Sequence, residues 1–116
     1  MSAKIVKIGL CQGAGEAGAP SRILSGQPTT RLWNDYTDAG GRFFSGVWSS
    51  TEGSWAVDYS EEEVCVILEG RVRLTAEDGT AQDFGPGDSF AIPAGFKGTW
   101  TTIEPVKKLY VIYEPA

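Results

Sequence analysis

Two stretches decide the fold: Glu63-Val64-Cys65-Val66-Ile67-Leu68-Glu69-Gly70 and, further along, Gly87-Asp88-Ser89-Phe90-Ala91-Ile92-Pro93-Ala94-Gly95. In an extended chain side chains alternate between two faces. Val64, Val66 and Leu68 therefore share one side of the first stretch, and Cys65 and Ile67 the other. A strand that is apolar on both faces has to be covered on both. In the second stretch Ser89–Ile92 is a short strand between two sharp breaks, Gly85-Pro86-Gly87-Asp88 and Pro93-Ala94-Gly95. Proline fixes φ and lacks an N–H, and glycine accepts positive φ, so each break ends a strand.

The same punctuation runs outward in both directions. Downstream of Gly70, Arg71–Thr75 and Ala81–Phe84 flank Glu77-Asp78-Gly79, a hairpin signal in which Gly79 supplies positive φ. Thr99–Ile103 and Lys107–Tyr113 follow. Upstream lie strands over Thr30–Tyr36, Arg42–Trp48 and Ser54–Tyr59, with a turn at Thr37–Gly41. Ile5–Leu10 reads as an edge strand, and 12–29, rich in Gly, Ala, Ser and Pro, as an arm without regular structure. No stretch of ten residues carries a helical period. Short strands at close spacing separated by glycine turns predict an all-β sandwich or barrel.

At 116 residues the chain fits one domain, 1–116, with the strand and arm in 1–41 and the barrel core in 42–113. With 41% hydrophobic and 22% charged residues it has the composition of a folded globule. A formal charge of −5 without any basic stripe speaks against nucleic acid. No apolar run approaches the roughly 18 residues that span a bilayer, and the N-terminus lacks the apolar region of a signal peptide. A cytoplasmic protein without membrane partners is expected. Cys11 and Cys65 make no disulfide framework and are expected as reduced thiols.

The strongest exclusion is chemical: the chain has no histidine. Ser-His-Asp and Cys-His catalysis, imidazole metal ligands and the imidazole proton shuttle are all removed. Any catalysis falls to carboxylates, Lys, Tyr, Cys or a cofactor. Gly13-Ala14-Gly15-Glu16-Ala17-Gly18 matches a G-x-G-x-x-G pattern, but Pro20, Gly26 and Pro28 break the helix whose N-terminus would hold a pyrophosphate. It reads as a loop.

Glu63–Gly70 fits E-x6-G and Gly87–Gly95 fits G-x5-P-x-G. Together they resemble the two signature motifs of the cupin superfamily, a small RmlC-like jelly-roll β-barrel. Gly46-Val47-Trp48, Tyr59, Phe84–Asp88, Gly98-Thr99-Trp100 and Lys108-Leu109-Tyr110 further resemble the ureidoglycine aminohydrolase-like cupins. That group includes small bacterial proteins of unknown function and the cupin of ethanolamine-utilisation operons. The resemblance implies metal ligands at two histidines before the motif-one glutamate, the glutamate itself, and a histidine after the motif-two P-x-G, with an asparagine usual a few residues later. Here Val57-Asp58-Tyr59-Ser60-Glu61-Glu62 precedes Glu63, and Gly98 and Thr102 stand at the later positions. Of four ligands only Glu63 remains, so neither a metal nor another cofactor is expected.

If position 98 faces the interior, alternation carries Trp100 and Thr102 there too. Trp100 then either plugs the barrel or forms a platform. With Trp48, Tyr59, Glu63, Lys108 and Tyr110 it makes a candidate pocket of aromatic walls and few polar groups, the usual composition of a ligand site. A buried Glu63 needs a partner, and Lys108, Tyr110 and Arg73 are the candidates. Its alternative is a structural hydrogen bond to a turn backbone. Cys65 shares parity with Glu63 and reads as a small hydrophobe. Glu61 and Glu62 read as solvated turn residues, and Arg71 and Arg73 as a solvent face. Three functional readings remain open: a small-metabolite binding protein, a metal-independent isomerase or aminohydrolase using Glu63 with Tyr59 or Lys108 as acid and base, or an interaction role with a filled barrel. The two-faced Glu63–Gly70 strand also implies cover from the N-terminal segment or from a second copy in a homodimer.

Overall fold

The computed structural model describes residues 3–115, so Met1, Ser2 and Ala116 of the one-domain reading lie outside the described residues. Nine strands follow in chain order: β1 (Glu16–Gly18), β2 (Ile23–Ser25), β3 (Thr30–Thr37), β4 (Phe43–Ser50), β5 (Gly53–Asp58), β6 (Glu62–Ala76), β7 (Ala81–Phe84), β8 (Ser89–Ile92) and β9 (Lys97–Tyr113). All pairings are antiparallel, and the described residues contain no helix. None is therefore long and apolar enough to cross a membrane.

The organising element is the ribbon formed by β6 and β9, paired from Glu62 opposite Tyr113 to Ala76 opposite Gly98. The free edge of β9 takes β5 along Lys97–Thr102 and β4 along Val106–Tyr113. The free edge of β6 takes β8 along Glu63–Val66 and β7 along Val72–Thr75. One ribbon thus belongs to two half-sheets, β1-β3-β4-β9-β6-β8 and β2-β5-β9-β6-β7. It bends where its register slips, between Ile67 and Val72. Gly70 sits in this corner at φ 85°, and a Cβ there would collide with the Pro105 carbonyl. Pro105 is tolerated because the corner interrupts the ladder. The result is a curled all-β half-barrel of cupin jelly-roll type.

The strands expected on either side of Gly70, Glu63–Gly70 and Arg71–Thr75, are thus one continuous strand with a corner, and Thr99–Ile103 and Lys107–Tyr113 likewise fuse into β9. Extended backbone continues through a bend when both halves find partners, and a bulge supplies the turn. The expected edge strand at Ile5–Leu10 does not form. Ile5 is fully exposed, and the segment is tethered by a hydrogen bond from the Gly9 N–H to the Asp35 carboxylate. In place of the unstructured arm, β1 and β2 each contribute three residues at sheet edges. The glycine-rich loop between them and the N-terminus packs on Trp33, whose indole N–H donates to the Gly13 carbonyl.

Between the half-sheets lie Trp55, Cys65, Ile67, Val72, Leu74, Ile92, Trp100 and Val106. Cys65 and Ile67 face this core, whereas Val64 and Leu68 remain 46% and 42% exposed on the outer face.

Candidate functional site

The inward face of the first half-sheet opens onto a cavity of about 480 Å³. Strand register sets its floor. On β9, Trp100, Lys108 and Tyr110 share one face, and Trp48 on β4 stands directly opposite Lys108. Trp55 on β5 is opposite Trp100. On β6, Glu63 and Cys65 face the same space, with Cys65 opposite Tyr110. Trp48 meets Trp100 edge to face at 5.4 Å, and Trp55 stacks on Trp100 at 6.2 Å. Such aromatic pairs add about 0.5–1.5 kcal/mol each beyond their area.

At the centre is a buried ion pair. Lys108 Nζ lies 2.8 Å from Glu63 Oε2. The ammonium also lies over the rings of Trp48 at 4.7 Å and Trp100 at 4.4 Å, and it donates to Cys65 Sγ at 3.6 Å. Burial by itself disfavours the charged amine, but the charge and hydrogen bond of Glu63, with Cys65 and Tyr59 adding in the same sense, hold the Lys108 pKa above its ordinary value. The Cys65 thiol is pushed up to about 12 by burial and by Glu63, so it stays neutral. Burial, then Glu63 and Glu61, likewise raises Tyr59.

Tyr59 is fixed by its loop. Its N–H donates to the Phe96 carbonyl and its carbonyl accepts from Gly95, which ties it to the Pro93–Gly95 break. Glu62 accepts from the Ala94 N–H, joining the two signature stretches. Tyr110 donates to Asn34 Oδ1 at 2.6 Å, and burial, with Asp35 and Glu63 behind it, raises its phenol to about 12. Gly46 makes room for this phenol, since a Cβ there would lie 2.8 Å from the hydroxyl oxygen. Trp100 donates its indole N–H to Thr102, which donates in turn to Ser50.

All six candidates, Trp48, Tyr59, Glu63, Trp100, Lys108 and Tyr110, line this one cavity. The partner of Glu63 is Lys108. Arg73 instead makes a surface pair with Asp83, because position 73 points outward from β6. Glu61, expected in solvent, is half-buried at the cavity rim. Leu32, Asn34, Phe44, Trp55 and Ile112 also line the cavity. Phe44 and Ile112 share parity with Trp48 and Lys108 and were accessible to that argument. Glu16, brought to the rim by β1, carried no signal.

The residues present do not fit the metal that cupin motifs imply. No group of three metal-ligating side chains exists among the described residues. The retained carboxylate already holds an ammonium at 2.8 Å. Position 98 offers no ligand, and any Cβ there would run into the Thr75 carbonyl. After incubation with Mn, Fe, Ni or Zn and desalting, elemental analysis is expected to find well under one equivalent per chain. One retained equivalent, lost in Glu63→Gln, would overturn this.

Comparison with known proteins agrees with this architecture. No curated protein matches the chain. Among solved structures, a putative ethanolamine utilization protein Q from Salmonella typhimurium LT2 superposes with a TM-score of 0.69 at 20% identity, over 85% of this chain and 79% of that one. The Clostridium difficile EutQ protein gives 0.67 at 17%, over 75% and 64%. A DUF861-family protein of unknown function from Pseudomonas syringae pv. tomato str. DC3000 gives 0.75 at 25%, over 94% of this chain and 44% of that one. The chain therefore spans under two-thirds of the C. difficile protein and under half of the P. syringae one. The model of the EutQ-like cupin domain matches residues 37–110, which hold both signature stretches and most of the cavity wall, and the chain belongs to that cupin family.

Proposed function

We propose that the protein binds a small organic metabolite in the aromatic cavity. The observation that carries this reading is the cavity itself: about 480 Å³ of space walled by Trp48, Trp55, Trp100 and Tyr59, with one internally paired Glu63–Lys108 anchor. Ligand sites have this composition, mostly apolar with a few placed polar groups. Acid–base catalysis by Glu63 with Tyr59 or Lys108 finds less support. A general acid or base works best with a pKa near the operating pH, and Tyr59 and Lys108 are both shifted away from neutrality. A screen of small metabolites by thermal shift tests the binding reading. A hit at a hundred times its Kd adds about 2.7 kcal/mol of stability. The shift is expected to vanish in Trp48→Ala, and an unchanged shift in that variant would overturn the assignment of the cavity.

We further propose a homodimer formed through the outer face of the first half-sheet. Phe43, Val64, Leu68 and Tyr113 are exposed there, and register makes them neighbours: Tyr113 lies between Phe43 and Glu62, and Val111 between Ser45 and Val64. The arm before β1 carries exposed Ile5, Val6 and Leu10 beside Lys4 and Lys7. Glu62 edges the sheet face, while Glu69 is already paired with Lys107 at 3.6 Å, so a second copy supplies matching apolar surface and a cation for Glu62. Light scattering at high micromolar concentration is expected to give twice the chain mass, falling to one chain in Val64→Lys. A monomer mass for the unaltered protein would refute this. Free thiols and a charge of −5 suit a cytoplasmic setting.

A further inference from the structure

We infer, resting on the binding reading, that the ligand of this cavity is a small organic cation, an ammonium group carried on an apolar body that stacks on the tryptophans. The charges lining the cavity are Glu16, Glu61 and Glu63 against Lys108 alone, with no arginine among them. Lys108 and Glu63 neutralise one another at 2.8 Å, which leaves Glu16 and Glu61 uncompensated at the rim. An incoming carboxylate or phosphate passes both and finds the one ammonium already engaged. An incoming ammonium is attracted at the rim, and its apolar body meets indole faces.

The cavity already holds one cation in this manner. Lys108 is a tethered ammonium over two tryptophan rings beside a carboxylate. A buried lysine ordinarily loses its proton more easily, yet here the Glu63 carboxylate at 2.8 Å outweighs burial and the proton is held more tightly. Burial is the main reason that Tyr59 and Tyr110 both stay un-ionised, and Glu63 adds to each in the same sense. Aromatic faces backed by carboxylates are the environment in which organic ammonium ions are recognised.

The four indole N–H groups give a direct readout. Trp48, Trp55 and Trp100 line the cavity, while the Trp33 indole is bonded to the Gly13 carbonyl on the other side of the sheet and serves as internal control. Three matched probes are titrated into protein with 15N-labelled indoles at 150 mM salt: 2-phenylethylammonium, 2-phenylethanol and phenylacetate. The ammonium is expected to shift the three cavity signals, but not Trp33, with a Kd about tenfold below that of phenylacetate, as one cation–π contact and one or two rim carboxylates would give. The alcohol is expected to fall between them. In Glu16→Gln/Glu61→Gln, the preference for ammonium over alcohol should shrink severalfold while the alcohol's own Kd holds. Phenylacetate binding tightest, equal binding of ammonium and alcohol, or a preference untouched by the two rim changes overturns the cation inference and leaves the binding reading standing. No probe moving the cavity indoles overturns the binding reading and the cation inference with it.

Discussion

Lys108→Met is expected to lower the unfolding free energy by about 3–5 kcal/mol, because it strands the Glu63 carboxylate in a buried, aromatic interior. Both side chains are about 95% shielded from solvent, and their 2.8 Å contact is the principal compensation for that burial. Glu63→Gln is expected to be destabilising too, with a distinctive pH dependence. In the unaltered protein the folded Lys108 pKa lies above its unfolded value of 10.5, so its stabilising contribution is complete below about pH 10.5 and is lost only as pH rises through the folded value. Between pH 7 and 10 this residue leaves stability flat. Without Glu63, burial dominates and depresses the Lys108 pKa, so the variant should gain stability over that same interval. The double change Glu63→Gln/Lys108→Met should recover most of the loss, since both partners then become neutral. Urea unfolding at several pH values measures all of this. A Lys108→Met cost below about 1 kcal/mol would mean that the pair is effectively solvated, as surface ion pairs are.

Trp100→Ala is expected to cost a similar amount, about 3–5 kcal/mol, and to erase the cavity floor. Trp100 is 1% exposed and is the largest fully buried side chain. It touches Trp48, Trp55 and the Lys108 ammonium, and its indole N–H starts the hydrogen-bonded run through Thr102 to Ser50. Truncation removes packing and cation–π contacts and leaves a void that the two-sheet framework closes only partly. Trp100→Phe keeps much of the volume but not the N–H donor, so it should cost markedly less. Equilibrium unfolding of the two variants separates packing from hydrogen bonding. Equal costs would assign the effect to the lost donor, and a cost under about 1 kcal/mol for Ala would show that the barrel collapses around the gap.

The cavity was legible in part because strand alternation is a strong rule. Parity placed Glu63 with Cys65, Trp100 with Thr102, and Lys108 with Tyr110 on common faces, and these residues do share the interior. Parity does not say which strand lies opposite which. It could not choose among Lys108, Tyr110 and Arg73 as the partner of Glu63. Arg73 and Glu63 have the same parity along β6, yet the register slips between Ile67 and Val72 turn residue 73 outward. A bulge reverses the alternation, and nothing local announces how many residues it absorbs. Glu61 departs from its expected place in solvent for a related reason. A carboxylate in a turn looks solvated until the turn is seen folded over a cavity mouth.

The sequence by itself determined the all-β class, the short strands between glycine and proline breaks, the cupin motifs, and the absence of imidazole chemistry. These are local properties, written in composition, spacing and period. Only the tertiary structure decided that Glu63 meets Lys108, that both sit among three tryptophans, and that Glu16 and Glu61 set the charge at the rim. Those facts depend on the bend of one long ribbon at Gly70 and Pro105, which brings distant parts of the chain within a few ångströms. Contacts of that kind are fixed by packing two sheets face to face, and no local pattern encodes them.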